Sequence, residues 1–246
     1  MKKLRYFGGK TRTCKEIQKI INKEIKDGQT FLSPFIGGGW VEQYIKADKK
    51  ILSDAHVYLI ELYKALKNGY ELPNELSKEE YLHIKDNLDK DKALSGFVGF
   101  GCSHSGKFFR GYASDKTGRN YCLNAKNSIQ KKIENGLLEN SEFYCKDYRE
   151  WKPNNCVIYC DPPYNNTEPL DYKVLYQGKR IDKFDTDEFW QTMREWSKNN
   201  KVFISEYDAP DDFECVWQQE VKLDMKNKKN TKDIRVEKLF TYEGGV

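Results

Sequence analysis

A chain of 246 residues with 33% charged side chains and a mean hydropathy of -0.84 makes one large domain, or one domain with a sizeable insertion, under a heavily solvated surface. The net charge of +4 is mild, so where the charge sits matters more than its total. No run approaches the length of a membrane helix and Met1–Lys10 lacks a signal peptide's apolar stretch, so no membrane partner is expected. The seven cysteines include no CxxC pair and the three histidines are scattered, so no metal is expected. Thiols set in apolar runs fit a reducing cytoplasm.

In chain order, Cys14–Ile25 repeats Ile17, Ile20, Ile21 and Ile25 at helical spacing. Thr30–Ser33 and Lys50–Ser53 read as strands, and Val57–Leu66 as a helix. From about Leu72 to Leu138 the rhythm breaks. Ser77–Lys92 is a charged helical stretch, after which Gly96–Tyr112 alternates glycines with aromatics, a pattern that predicts hairpins and extended loops. Lys107, Arg110, Lys116, Arg119, Lys126, Lys131 and Lys132 make this part basic, with Asp115 the only acid from Gly101 to Lys132. Residues 72–138 are therefore expected as an inserted subdomain, and 1–71 with 139–246 as the main domain. Glu142–Cys145, Val157–Cys160 and Val202–Ser205 supply further strands, Asn165–Lys183 a polar loop, and Asp187–Lys198 a helix. Phe213–Val221 and Arg235–Tyr242 have no helix between them and suit an antiparallel hairpin. The alternation predicts an α/β fold, a mostly parallel sheet with helices on both faces.

Asp161-Pro162-Pro163-Tyr164 follows the strand Val157–Cys160, at the carboxyl end where open α/β sheets bind ligands. The prolines stiffen the turn, and Pro162 has no N–H to donate. One carboxylate, several carbonyls and one ring suit an exocyclic amino group on a flat heterocycle. Asp161 and a main-chain carbonyl would accept its two N–H bonds, and Tyr164 would stack on the ring. The plainer alternative is a strand exit in which Asp161 caps an amide. Ser33-Pro34-Phe35-Ile36-Gly37-Gly38-Gly39 follows the first strand, and its glycines allow positive φ and close approach to a ligand. Glu42 occupies the place of the third glycine in a G-x-G-x-x-G loop, which disfavours a dinucleotide but not another nucleoside-containing cofactor. Asp54 ends the second strand, where an acid accepts hydrogen bonds from ribose hydroxyls. Gly8-Gly9-Lys10 offers a flexible turn with one cation. Asp147 either reaches a cofactor base or caps a helix.

Together these motifs resemble the Dam-like class of DNA adenine-N6 methyltransferases along nearly the whole chain. Tyr6-Phe7-Gly8-Gly9-Lys10 is similar to that family's W-A-G-G-K, Pro34–Gly39 to its P-F-x-G-x-G, Asp54 to the acid of its second motif, and Asp161–Tyr164 to its D-P-P-Y. Val202–Ser205 and Arg235–Phe240 fall in family order. Tyr6 replaces the usual Trp, Trp40 stands where small residues are usual, and Ala55-His56 follows Asp54 where the family commonly has an Asn.

The resemblance implies an S-adenosylmethionine-dependent, Rossmann-like sheet with an antiparallel C-terminal strand and an inserted DNA-recognition subdomain. It implies methyl transfer to N6 of an adenine flipped out of double-stranded DNA. Asp161, the Pro162 carbonyl and Tyr164 would be catalytic. Tyr6, Lys10, Phe35, Gly37, Gly39, Asp54, Asp147 and Asp161 would bind the cofactor, with Lys10 on the methionine carboxylate, Asp54 on the ribose and Asp147 on the adenine amino group. Lys107, Phe108, Arg110, Tyr112, Lys116 and Arg119 would bind DNA, the rings as wedges or stacking partners, unless they are tucked into a local core. A second basic stretch, Lys222–Lys238, would add phosphate contacts. An RNA adenine methyltransferase and a non-catalytic DNA-binding module are the alternatives. Asp at the head of the motif, rather than Asn or Ser, favours adenine over amide or cytosine substrates.

Overall fold

Strand β4 (Cys156–Cys160) is buried at every position, as a strand covered on both faces must be. Its side chains alternate between two cores. Val157 and Tyr159 enter the one that holds Ile17 and Ile21 of α1 (Cys14–Glu24) and Leu59, Ile60 and Tyr63 of α2 (Val57–Lys67). Ile158 and Cys160 enter the other, beneath Phe189, Trp190, Met193 and Trp196 of α6 (Thr186–Ser197). The computed structural model describes residues 10–163, 175–176, 179–180, 184–226 and 232–242.

β1 (Thr30–Ser33) pairs parallel with β4 on one side and with β2 (Lys49–Asp54) on the other, and β3 (Ser141–Cys145) lies parallel beyond β2. On the far side of β4, β7 (Lys201–Glu206) is parallel, and β9 (Lys232–Tyr242) runs antiparallel between β7 and β8 (Phe213–Lys226). The order is β3-β2-β1-β4-β7-β9-β8, and β5 (Leu175–Tyr176) pairs separately with β6 (Lys179–Arg180). This is the expected α/β sheet, mostly parallel with an antiparallel C-terminal pair. Strand order reverses between β1 and β4, and sheets of this kind hold ligands in the crevice outside the carboxyl ends at such a reversal.

Between α2 and β3 the chain builds α3 (Lys78–Asp86), α4 (Lys92–Gly101) and α5 (Tyr121–Glu134). Tyr81, Phe97, Val98, Ala125 and Ile129 from these helices form one apolar cluster with Leu62 of α2. The charged stretch from Ser77 yields only α3, which a Ser77–Glu80 capping box starts. The glycine–aromatic run departs from its reading. It begins as helix α4, whose N-cap Asp91 accepts from the Leu94 amide at 2.9 Å. Its glycines serve packing. A Cβ on Gly96 would stand 2.0 Å from the Tyr58 carbonyl oxygen of α2, and one on Gly99 2.3 Å from the Phe108 ring. Close packing thus offsets the roughly 1 kcal/mol that each glycine costs a helix. Among the described residues, an isolated antiparallel bridge between Ser103 and Tyr112 is what the expected hairpin amounts to. Helix α5, which sequence reading left unassigned, starts at Asn120, whose side chain accepts from the Leu123 amide at 2.8 Å.

Gly96→Ala tests the α2–α4 packing. The added methyl must push backbone from backbone, so we expect a loss of about 3 kcal/mol, near the top of the usual overpacking range. It should appear as a lower urea midpoint with an unchanged slope.

Candidate active site

The Asp161 turn leaves β4 beside the strand-order reversal. Lys10, just before α1, places Nζ 2.6 Å from Asp161 Oδ1 and 3.6 Å from the carboxylate of Glu237 on β9. The Lys10 side chain is 3% exposed and that of Asp161 22%, so the cation is sealed while the acid keeps an open edge. Burial alone would lower the Lys10 pKa; Asp161 and Glu237 together outweigh it and raise the ammonium above its usual value. These two contacts of Lys10 are with side chains, and its expected place on a cofactor carboxylate is a separate matter. A buried ammonium needs partners in the folded chain itself, and two side-chain carboxylates supply them. Glu237 has no role in the sequence reading. Its signal was only its place in the run Arg235–Phe240. Next to it, Arg235 Nη1 donates to the Tyr207 hydroxyl at 3.1 Å.

The glycine loop lies at the end of β1. Gly37 and Gly39 take φ of 44° and 64°, the left-handed region that their sequence pattern predicts. The Gly37 amide donates to Asp54 Oδ2 at 3.0 Å, the His56 amide to Asp54 Oδ1 at 2.9 Å, and the Tyr63 hydroxyl to the Gly37 carbonyl at 2.9 Å. Asp54 therefore joins the loop to the end of β2. Burial pushes its carboxyl up to about 6, against the lowering effect of the His56, Gly37 and Ala55 amides. His56 is buried among Phe108, Phe100 and Tyr58 at 4.5, 4.8 and 6.0 Å between ring centroids, and burial lowers its imidazole to about 3. It is a neutral ring at physiological pH.

Phe35 packs against Tyr148, Phe189 and Phe184 at 5.3, 6.0 and 6.1 Å, an aromatic wall beside the loop. The Lys146 amide donates to the Asp54 carbonyl at 3.1 Å, which sets the Asp147 turn next to Asp54. Asp147 acts as an N-cap here, the second of its two readings. It accepts from the Arg149 amide, Nε and Nη2 at 3.0, 2.8 and 2.9 Å. Positive-φ glycines, an acid with both oxygens facing donors and an aromatic wall fit a nucleoside. Tyr6 and Tyr164 lie outside the described residues.

The cations of residues 72–138 divide. Arg110 and Lys116 are exposed and Lys107 is half-buried. Arg119 lies 3.6 Å from Asp115 and 5.4 Å from the centre of the Tyr121 ring. Lys126 instead donates to the Leu72 carbonyl and Asn74 Oδ1, both at 2.8 Å. Lys132 is buried. The expected aromatic wedges also turn inward: Phe108 packs on Phe109 and Phe100 at 4.9 and 5.0 Å, and the Tyr112 hydroxyl donates to the Leu76 carbonyl at 2.7 Å. Apolar area here finds more burial against α2 and α4 than in water. Among the described residues no cluster of His, Cys, Asp and Glu could hold a metal, and no helix is long and apolar enough to cross a membrane.

Comparison with known proteins decides the class. Residues 6–98 and 103–234 match the D12 class N6 adenine-specific DNA methyltransferase family. The chain belongs to that family. Its activity is adenine methylation in DNA. The type II methyltransferase M.MjaIII of Methanocaldococcus jannaschii is 25% identical over 233 residues, covering 77% of this chain and 79% of that protein. The DNA N-6-adenine-methyltransferase of Escherichia phage P1 is 26% identical over 241 residues, covering 84% of this chain but 30% of its own length. Among solved structures, an rRNA methylase from Streptococcus thermophilus is similar with 6% identity and a TM-score of 0.37, over 94% of this chain and 98% of that one.

Asp54 gives this D12 methyltransferase a pH signature. Its folded pKa of about 6 lies above the 3.8 of a free Asp, so its contribution to folding is present below pH 4 and is lost as pH rises through 6. If Asp54 accepts from the hydroxyl groups of a methyl donor, donor binding runs the opposite way, because the carboxylate is the stronger acceptor. We expect the KM for the methyl donor to rise as pH falls below 6, by roughly tenfold per unit, with the KM for DNA unchanged. Initial rates in a series of isoionic buffers check this.

Proposed function

We propose that this protein transfers a methyl group to N6 of an adenine flipped out of double-stranded DNA, with Asp161 as the acceptor that prepares the nitrogen. The observation that carries the reading is the Asp161 carboxylate, anchored by Lys10 at 2.6 Å on one oxygen at the carboxyl end of β4. S-adenosylmethionine, when bound, supplies an electrophilic methyl on sulfonium sulfur. The glycine loop, Phe35 and Asp54 are the residues to hold it, with Asp54 accepting from the ribose. Asp147 is committed to Arg149 through both oxygens, but a carboxylate has lone pairs left for an adenine amino group. Tyr6 adds a ring to this set by its motif.

Adenine N6 is a poor nucleophile because its lone pair is delocalised into the ring. Asp161 and the Pro162 carbonyl accept the two amino hydrogens, which localises that pair on nitrogen and fixes its direction. Lys10 holds the Asp161 carboxylate in place, so the acceptor is oriented before substrate arrives. On transfer the methyl–sulfur bond of the sulfonium would break as the N–C bond forms, the donor leaving as a neutral thioether, and the positive charge gained by N6 would be lost with an amino proton to Asp161. Tyr164, next in the motif, stacks on the extruded base and recovers part of the few kcal/mol that flipping costs. Positioning does most of the work, and none of the cysteines is required as a nucleophile. Lys107, Arg110, Lys116 and Arg119 lie between α4 and α5 and serve phosphates or base edges. Residues 72–138 act as the DNA-recognition subdomain on this reading, with their rings as its internal core.

The decisive experiment supplies radiolabelled S-adenosylmethionine and unmethylated genomic DNA, then separates the digested nucleosides. We expect label in N6-methyladenine and a fall of about a thousandfold or more with Asp161→Ala, the scale on which a preorganised polar group is missed. Cofactor binding without label in DNA, with label instead in RNA or protein, overturns the reading.

A further inference from the structure

One buried contact ties the two parts of the chain together. Lys132, on the last turn of α5, is 1% exposed, and its Nζ donates to the carbonyl of Gly38 in the glycine loop. The same ammonium stands 3.9 Å from the centre of the Trp40 ring, the residue that fills a position usually given to small side chains. Trp40 is itself 8% exposed. Beneath them Glu42 is 2% exposed, with Oε1 accepting from the Ser33 hydroxyl at 2.8 Å. Burial draws the Lys132 ammonium down to about 7 and the Glu42 carboxyl up to about 7, while Glu42 works to keep Lys132 charged. Further contacts run along the same seam. Asn135 Nδ2 donates to Gln43 Oε1 at 2.8 Å, Lys50 Nζ to the Gly136 carbonyl at 2.6 Å, and a Cβ on Gly39 would stand 3.0 Å from Leu137.

We propose that Lys132 is a positioning residue for the cofactor loop: from the segment that carries the DNA-facing cations, it fixes the Gly38 carbonyl and the Trp40 ring so that the Gly37–Gly39 turn keeps its cofactor-binding shape. The loop is then held from three elements, by Asp54 of β2, Tyr63 of α2 and Lys132 of α5. The first two fix Gly37, and Lys132 reaches Gly38. In its protonated form Lys132 is a desolvated cation over an indole, among the stronger contacts of its kind, and its N–H donation to the Gly38 carbonyl adds to it. A lysine buried here needs partners, and the Gly38 carbonyl and the Trp40 ring supply them.

The inference rests on the methyl-donor reading of the glycine loop, and the experiment separates the two. Binding of S-adenosylmethionine is measured by calorimetry, with steady-state kinetics on DNA, for the parent, Lys132→Met and Lys132→Gln. If the parent does not bind S-adenosylmethionine, the donor reading fails and this inference with it. If the parent binds, Lys132→Met should raise Kd and KM for S-adenosylmethionine by about tenfold, with kcat and the KM for DNA within twofold. Lys132→Gln, which keeps an N–H for Gly38, should recover part of that affinity. Unchanged Kd in a folded Lys132→Met overturns the inference, as does a uniform loss of kcat and both KM values, the mark of a merely structural lysine. Should Lys132→Met not fold, Trp40→Leu carries the same test: a selective rise in the KM for S-adenosylmethionine supports the inference, and an unchanged KM overturns it.

Discussion

The site is organised around a buried cation. Lys10 is sealed from water between Asp161 and Glu237, and those three residues come from the segment before α1, the turn after β4 and strand β9. An ammonium in such a place is tolerated only with opposite charge at contact distance. The cost of burying it forces the chain ends and the central strand together, and the proposed catalytic acid is one of the groups that meet the cost. Asp161 is in this way a structural counter-ion as well as the proposed acceptor. That arrangement explains why an exposed, flexible carboxylate is avoided at the crevice: its partner is fixed before any substrate enters.

The glycine loop answers to a second constraint. Glycines that take positive φ gain freedom in the unfolded chain, so the folded loop must be held by its surroundings. Hydrogen bonds to Asp54, Tyr63 and Lys132 do this from different elements. Glu42, at the position that departs from the dinucleotide pattern, is buried beneath the same loop and bonded to Ser33. Trp40, Glu42 and Lys132 are thus part of one packed group beside the loop.

Much of this was legible in the chain. The strand Thr30–Ser33 has the bounds its β-prone run predicts, and Val157–Cys160 gains one residue. Buried parallel strands are short apolar runs, separated from buried helix by their length, their β-branched and aromatic residues and the turn residues that flank them. The Asp161 turn was placed correctly because a strand end fixes a motif's position. Gly96–Gly101 was misread because alternation of glycine with aromatics is ambiguous. It marks loops when the glycines serve φ, and helix contacts when they serve close approach, and only the neighbouring Tyr58 carbonyl tells the two apart. Lys126 and Lys132 counted toward the basic character of this segment because a lysine's charge is visible in sequence while the carbonyl that receives it is not. Phe108 and Tyr112 were ambiguous for the same reason. Asp161's bond to Lys10 joins residues too far apart for any spacing rule.

The placement of residues 72–138 also bears on the order in which the molecule assembles. Thr30 pairs with Cys156, and Lys50 with Ser141, so one central and one edge pairing of the sheet wait for strands made much later. Closing such long loops costs entropy before any contact repays it, although the cost grows only slowly with length. Helices α2 to α5 need no such wait. They share a cluster of their own, with α4 packed closely on α2, and the chain then re-enters the main core at Leu137. A collapsed helical unit carries the chain back from the end of β2 to the start of β3, beside the start of β2, and shortens the effective loop. The segment that interrupts the sheet in sequence is in this sense the scaffold on which the sheet's second half closes.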